Sequence, residues 1–230
     1  ALIQNKKPIL GVISWPTEKT LFIAQKNCGA FRYSNGKWDK ILVTKIDELS
    51  KCRTVGSRHH LSEKEKKFIK KIGIEDFTSI GSSLKVGKIS SGQAEAYITT
   101  TNKMKEWDTA ASHCIVSEAG GKMTDMLGNE LTYNNKNVYH QNGILVTNGL
   151  IHDKIVEEFK KFADEVSKEV SVYIYSDKTI TYTIGNKKET ESFEYFIKEK
   201  KDEFMGDNAQ IKPIDSSTIG ISPVFDLATS

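Results

Sequence analysis

Apolar residues dominate residues 8–14 and 20–24, two short runs that read as strands. Trp15-Pro16-Thr17 turns the chain between these two runs. Residues 30–33 read as a third strand after a break at Asn27-Cys28-Gly29, and Ser34-Asn35-Gly36 is a hairpin signal, because Asn-Gly accepts positive φ at low cost. An antiparallel meander is predicted.

The pattern then changes. Residues 52–55, 77–80 and 94–99 read as short strands that end in polar turns. Leu61-Ser62-Glu63-Lys64-Glu65 opens a helix to about residue 71, with Ser62 as N-cap and Glu65 three residues on, a capping box. A second helix follows Gly81-Ser82-Ser83-Leu84-Lys85 and closes at Gly92. Residues 100–105 form a polar, basic loop. A third helix is read from Asp108, with Ala111, Ile115 and Ala119 on one buried face beside Cys114, room for close approach at Ala110 and Ala111, and a stop at Gly120-Gly121. Residues 122–125 and 143–147 are strands, and an amphipathic helix covers 151–166 with Ile155, Phe159 and Phe162 on one face.

From residue 167 the character shifts. Residues 172–175 and 179–184 read as strands, 189–204 as a helix and 210–214 as a strand. The expected organisation is an α/β domain over 1–166 and a small β-β-α-β unit over 167–230, incomplete at its end.

Composition narrows the function classes. The 230 residues are 38% hydrophobic and 27% charged with a net charge of +3, too even a balance to argue for nucleic-acid or membrane binding. No apolar run approaches the roughly 18 residues of a membrane span. Cys28, Cys52 and Cys114 are odd in number and far apart, so reduced, buried thiols and a cytoplasmic location are expected. The chain starts at Ala1 in strand-like sequence and stops at Leu227-Ala228-Thr229-Ser230 where a helix begins, so a piece of a longer protein is expected.

Three stretches carry candidate chemistry. Asp108 at a helix N-terminus can cap free N–H groups, and it can also hold a hard divalent cation through its carboxylate. On these features alone the cap is the plainer reading. Ser57, Arg58, His59 and His60 sit where a strand ends before a helix, a place where α/β sheets bind ligands, and Arg and His there suit an anion; a solvated loop is the competing reading. Gly81, Ser82 and Ser83, with Lys85 beyond, offer N–H groups, hydroxyls and a charge to an anion, without the spacing of a Walker loop.

In their order these pieces resemble the lithium-sensitive, magnesium-dependent phosphatase superfamily of inositol monophosphatases, fructose-1,6-bisphosphatases and bisphosphate nucleotidases. Trp107-Asp108-Thr109-Ala110-Ala111 with Glu118-Ala119-Gly120-Gly121 looks like the second signature of that family. Gly29-Ala30-Phe31, Asn35-Gly36-Lys37 and the strand Asn142 to Asn148 support it, over about residues 1–163. Ser57-Arg58-His59-His60 and Ile80 to Lys85 are closer to the 3′(2′),5′-bisphosphate nucleotidases.

The resemblance implies the C-terminal part of a layered α/β sandwich. It implies Mg²⁺ as cofactor with Asp108 as one ligand, and a phosphate ester bound by Ser57, His60, Gly81 and Lys85, with Arg58, Ser82 and Ser83 as neighbours. The substrate would be adenosine 3′,5′-bisphosphate, hydrolysed to AMP and phosphate; an inositol monophosphatase or a non-catalytic phosphate-binding module are the alternatives. The expected partner is a small-molecule phosphate ester, not nucleic acid or membrane, with a homodimer left open. One departure is large. The acidic first signature, Asp-Pro-(Ile/Leu)-Asp-Gly-Thr after a Glu-Glu pair, does not occur, so the chain alone is expected to be inactive. A smaller one is Thr99-Thr100-Thr101, where some relatives carry an arginine.

Overall fold

The computed structural model describes residues 1–57, 61–167, 170–174, 179–184 and 187–192. Two compact units divide the chain, residues 1–160 and 161–230.

The first unit opens with five antiparallel strands in sequence order, β1 (Leu2–Gln4), β2 (Lys7–Trp15), β3 (Thr20–Gln25), β4 (Gly29–Ser34) and β5 (Lys37–Ile41). The turn between β2 and β3 is a 3-10 turn, Pro16–Glu18, ended by Lys19 in the left-handed region. Asn35 and Gly36, at φ 51° and 78°, make the tight β4–β5 hairpin that Asn-Gly predicts. Ile13, Phe22, Ala24, Ala30 and Ile41 cover one face of this sheet and are buried. The alternate positions include Val12, Tyr33 and Trp38, which stay exposed.

Next come β6 (Arg53–Gly56), α1 (Glu63–Lys71), β7 (Asp76–Ser79), α2 (Leu84–Ser90), β8 (Ala96–Thr99), α3 (Glu106–Glu118), β9 (Lys122–Thr124), β10 (Ile144–Thr147) and α4 (His152–Ser167). Their strands form a second sheet in the order β7-β6-β8-β10-β9. β6 runs parallel to β7 and β8, and β10 runs antiparallel to β8 and β9. Every residue of β10 is buried, so both faces of this sheet are covered there. α1 begins with the predicted capping box: Ser62 Oγ accepts from Glu65 N–H at 3.2 Å, and Ser62 N–H donates to Glu65 Oε2 at 2.7 Å.

α3 joins the two sheets. Cys114, Ile115 and Ala119 pack on the meander, while Ala110 and Val116 pack with Val86 and Ile89 of α2 against Val55, Ile144 and Val146. Full burial of one such aliphatic side chain is worth about 1.5–3 kcal/mol. Gly11 of β2 lies directly under the helix, where a Cβ would run into the Ala111 carbonyl oxygen. At the far end Glu118 accepts from Asn27 N–H at 3.0 Å and Gly29 N–H at 2.9 Å, tying the helix to the β3–β4 turn. Gly120, at φ 89°, supplies the left-handed stop. Gly121 serves close approach instead, since a Cβ there would lie 2.5 Å from the Thr147 carbonyl oxygen.

Beyond α4, β11 (Val170–Ile174), β12 (Thr179–Ile184) and β13 (Lys187–Ser192) form an antiparallel meander. β13 occupies the start of the predicted 189–204 helix. Lys-Lys-Glu-Thr-Glu-Ser has no helical apolar period, and its backbone pairs with β12 from Lys187–Ile184 to Ser192–Thr179. The rest of that helix and the 210–214 strand lie outside the described residues. Cys52 and Cys114 are buried as expected, but Cys28 is exposed, because it sits in the tight β3–β4 turn.

Candidate functional site

A cavity of about 680 Å³ opens where β8, α2 and α3 meet. Ser57, Ser82, Ser83, Lys85 and Asp108 all line it. Gly81 does not; it precedes Ser82, whose φ of 58° makes the turn into α2. Arg58 and His60 lie outside the described residues.

The β7–α2 turn differs from a simple anion cradle. α2 has only seven residues, and Ser83 makes no side-chain cap; its hydroxyl instead donates to the Asp108 carbonyl oxygen at 3.5 Å. The charge comes from Lys85, only 7% exposed. Its ammonium donates to the Ser82 carbonyl at 3.0 Å and lies 5.0 Å from the centre of the Tyr97 ring. It meets no carboxylate among the described residues. An ammonium has three donors, so this one keeps bonding capacity facing a cavity. Burial pulls its pKa below the ordinary lysine value. Burial likewise pushes the Tyr97 phenol up to about 12, so it stays neutral at physiological pH.

α3 begins at Glu106, two residues before the predicted start. Asp108 is therefore its third residue, not its cap. Asp108 Oδ2 accepts from Lys105 N–H at 2.8 Å, so the carboxylate folds back on the residue before the helix. Oδ1 makes no hydrogen bond among the described residues, and the side chain is exposed. The Lys105 ammonium lies 5.0 Å from the ring centres of both Trp107 and Tyr139.

Behind Asp108 the helix is pinned by buried polar groups. The Glu106 carboxylate accepts from Asn134 N–H at 2.6 Å, Asn135 N–H at 3.0 Å and Asn135 Nδ2 at 2.8 Å. Burial alone would raise its pKa, but those N–H bonds outweigh burial and hold it below the usual carboxylate value. Thr109 Oγ1 donates to the Glu106 carbonyl at 3.2 Å, which assigns the 2.6 Å contact with His140 Nε2 as N–H to oxygen. Tyr133 donates to the same Thr109 oxygen and pairs with His113 Nδ1 at 2.8 Å. Burial depresses both histidines, His113 to about 4, so both are neutral near pH 7. Sequence reasoning missed this set because the contacts that join it to other elements span 20 to 31 residues. It also took Glu65 only as a cap partner, although Glu65, Tyr97 and residues 99–101 line the cavity.

The residues present do not complete a magnesium site. Hard dications take six or more oxygen ligands; Asp108 gives one carboxylate, and no group of three or more His, Cys, Asp or Glu among the described residues is placed to hold a metal ion.

A sequence profile of the inositol monophosphatase family matches residues 1–163. The chain belongs to this family. It is 33% identical over 147 residues to the 3′(2′),5′-bisphosphate nucleotidase CysQ of Salmonella typhimurium, covering 64% of this chain and 58% of that protein. It is 30% identical over 169 residues to the fructose-1,6-bisphosphatase/inositol-1-monophosphatase of Thermotoga maritima, covering 72% and 60%. Among solved structures, CysQ from Bacteroides thetaiotaomicron, a bacterial member of the family, superposes with a TM-score of 0.55 at 27% identity, over 64% of this chain and 60% of that one. The family chain described here thus spans 58% of the length of the Salmonella relative. Its mixed sheets and helices match the fold of these neighbours. No helix among the described residues is long and apolar enough to cross a membrane.

Proposed function

We propose that this chain works within a magnesium-dependent phosphomonoesterase, a 3′(2′),5′-bisphosphate nucleotidase that converts adenosine 3′,5′-bisphosphate to AMP and phosphate. The observation that carries this reading is Lys85: a buried ammonium, without a carboxylate partner among the described residues, lines the same cavity as Asp108. That combination would suit an ester with one phosphate at the cation and another at a metal ion held in part by the carboxylate.

Ser57 and Ser82 add polar groups to the same wall, Gly81 directly precedes Ser82, and Arg58 and His60 are proposed as further ligand residues on the family resemblance alone. Asp108 is proposed as one magnesium ligand. The other carboxylates would come from sequence outside these 230 residues, so the chain alone should bind the ester but not hydrolyse it. The metal, when bound, would supply Lewis-acid activation of the phosphoryl group and of water. The unpaired cysteines favour the cytoplasm as its compartment.

Calorimetry on the 230-residue chain tests the reading. Adenosine 3′,5′-bisphosphate should bind more tightly than inositol 1-phosphate, and Lys85→Met should weaken it by about tenfold, the loss of one charge-assisted contact. Tighter binding of inositol 1-phosphate would favour inositol monophosphatase activity, which the similarity to the Thermotoga protein supports. Turnover by the isolated chain would refute the division of the site.

A further inference from the structure

Glu65 is 2% exposed, yet it lines the cavity. Its carboxylate reaches in two directions. Oε2 accepts from Ser62 N–H at 2.7 Å within its own helix turn. Oε1 accepts from Thr100 N–H at 2.5 Å and from the Thr100 hydroxyl at 3.4 Å, on the loop after β8. Buried carboxylates are ordinarily offset by a cation. Among the described residues Glu65 has none.

Two carboxylate oxygens provide about four lone-pair sites. Thr100 takes both on Oε1, and Ser62 takes one on Oε2, so one acceptor site remains. Among the described residues the cavity therefore holds two buried groups without an ionic partner: a carboxylate with acceptor capacity to spare and, at Lys85, an ammonium with donor capacity to spare. Neither forms an ion pair with the other. Tyr97, with its ring against the Lys85 ammonium, lines the same wall as a neutral phenol.

We infer that Glu65 is a specificity-determining residue that accepts a hydrogen bond from the uncharged part of the ligand, a hydroxyl or amino group of a nucleoside or polyol, while Lys85 takes a phosphate. This inference rests on the phosphate-ester reading of the site. It divides the cavity by charge. A second phosphate placed against Glu65 would meet a buried negative charge, whereas a donor completes the carboxylate's coordination. Thr100, which bonds Glu65 and lines the cavity, belongs to the same end, so this chain reads its ligand there through an acceptor.

The test is calorimetry on the 230-residue chain with two probes, adenosine 3′,5′-bisphosphate and inorganic pyrophosphate, which has the anionic groups without the nucleoside. Glu65→Gln should weaken the nucleotide about tenfold and leave pyrophosphate within about twofold or bind it tighter, whereas Lys85→Met should weaken both. Equal weakening of both probes by Glu65→Gln would mean that the residue only ties two loops, and an unchanged nucleotide affinity would mean that it reads nothing; either overturns the inference. A second arm needs no substitution. Analogues of the nucleotide that lack the 2′-hydroxyl or carry hypoxanthine instead of adenine should include one bound about tenfold more weakly by the wild-type chain. Parity of both with the parent overturns the inference even if Glu65→Gln fails to fold. Failure of the site itself looks different: the wild-type chain would bind neither probe, or Lys85→Met would change neither, and the inference would fall with it.

Discussion

Lys105 N–H donates to Asp108 Oδ2 at 2.8 Å, while Asp108 N–H donates to the Lys105 carbonyl at 2.9 Å. The carboxylate of this cavity-lining residue is thus held by the residue that precedes the helix, through one of its two oxygens. Asp108→Asn keeps an acceptor for the Lys105 N–H. Its effect on thermal stability should be small, below about 1 kcal/mol. In a protein that supplies the remaining carboxylates, magnesium-dependent hydrolysis should fall by about a hundredfold or more. Undiminished hydrolysis, measured beside a melting curve, would remove Asp108 from the metal set.

Lys85 should cost the fold stability while serving the site. Burial holds its native pKa below the ordinary lysine value, so the unfolded chain binds the proton more readily. Stability is therefore reduced at neutral pH and recovers as pH rises through the native value towards 10.5, the ordinary one. Lys85→Met should melt higher than wild type near pH 7, by roughly 1 kcal/mol in stability, with the gap closing in alkaline buffer. A variant that melts lower would show that the ammonium contributes more through Ser82 than it loses to burial.

Glu106 gives the opposite pH dependence. Its native pKa lies below the ordinary carboxylate value, so its stabilisation is fully present above that value and is lost as pH falls through the native one. Glu106→Gln leaves the N–H groups of Asn134 and Asn135 that bond the buried carboxylate poorly matched and should cost about 1–3 kcal/mol at pH 7. Melting curves of the two proteins should converge as the buffer is taken from about pH 6 to about pH 3. Parallel curves across that range would refute the assignment.

Gly11→Ala tests the packing beneath the site. Its new methyl would press on the Ala111 backbone, which cannot yield as a flexible side chain can. The expected loss is about 2–4 kcal/mol, seen as a lower denaturation midpoint. Wild-type stability would require α3 to lift from β2 at little cost.

Much of the scaffold could be read from local chemistry. Asn35-Gly36, the Ser62/Glu65 capping box and the Gly120 stop each depend on a few adjacent residues, and each occurs where expected. What escaped depends on distant partners. Asp108 reads as a cap because Asp suits that position, yet Lys105 takes the extended cap geometry and Glu106 enters the helix while its carboxylate serves Asn134 and Asn135. Nothing local to Glu65 announces Thr100, which lies 35 residues on. Polar residues 187–192 become a strand only because β12 supplies their ladder. Among the candidate ligand residues, Ser57, Ser82, Ser83, Lys85 and Asp108 meet at one cavity, while Gly81 does not line it and the turn beside it is made by Ser82.

Bare backbone separates β2 from α3 at Gly11 and Ala111. With no side chain in between to act as a bearing, the helix cannot slide or roll on the sheet without a collision. Asp108 stands three residues upstream of Ala111, about 4.5 Å along the axis. Strand β2 is therefore the datum from which the height of that carboxylate is set, and variation in ligand preference within this architecture has to be written in the loops around the cavity while the helix keeps its station.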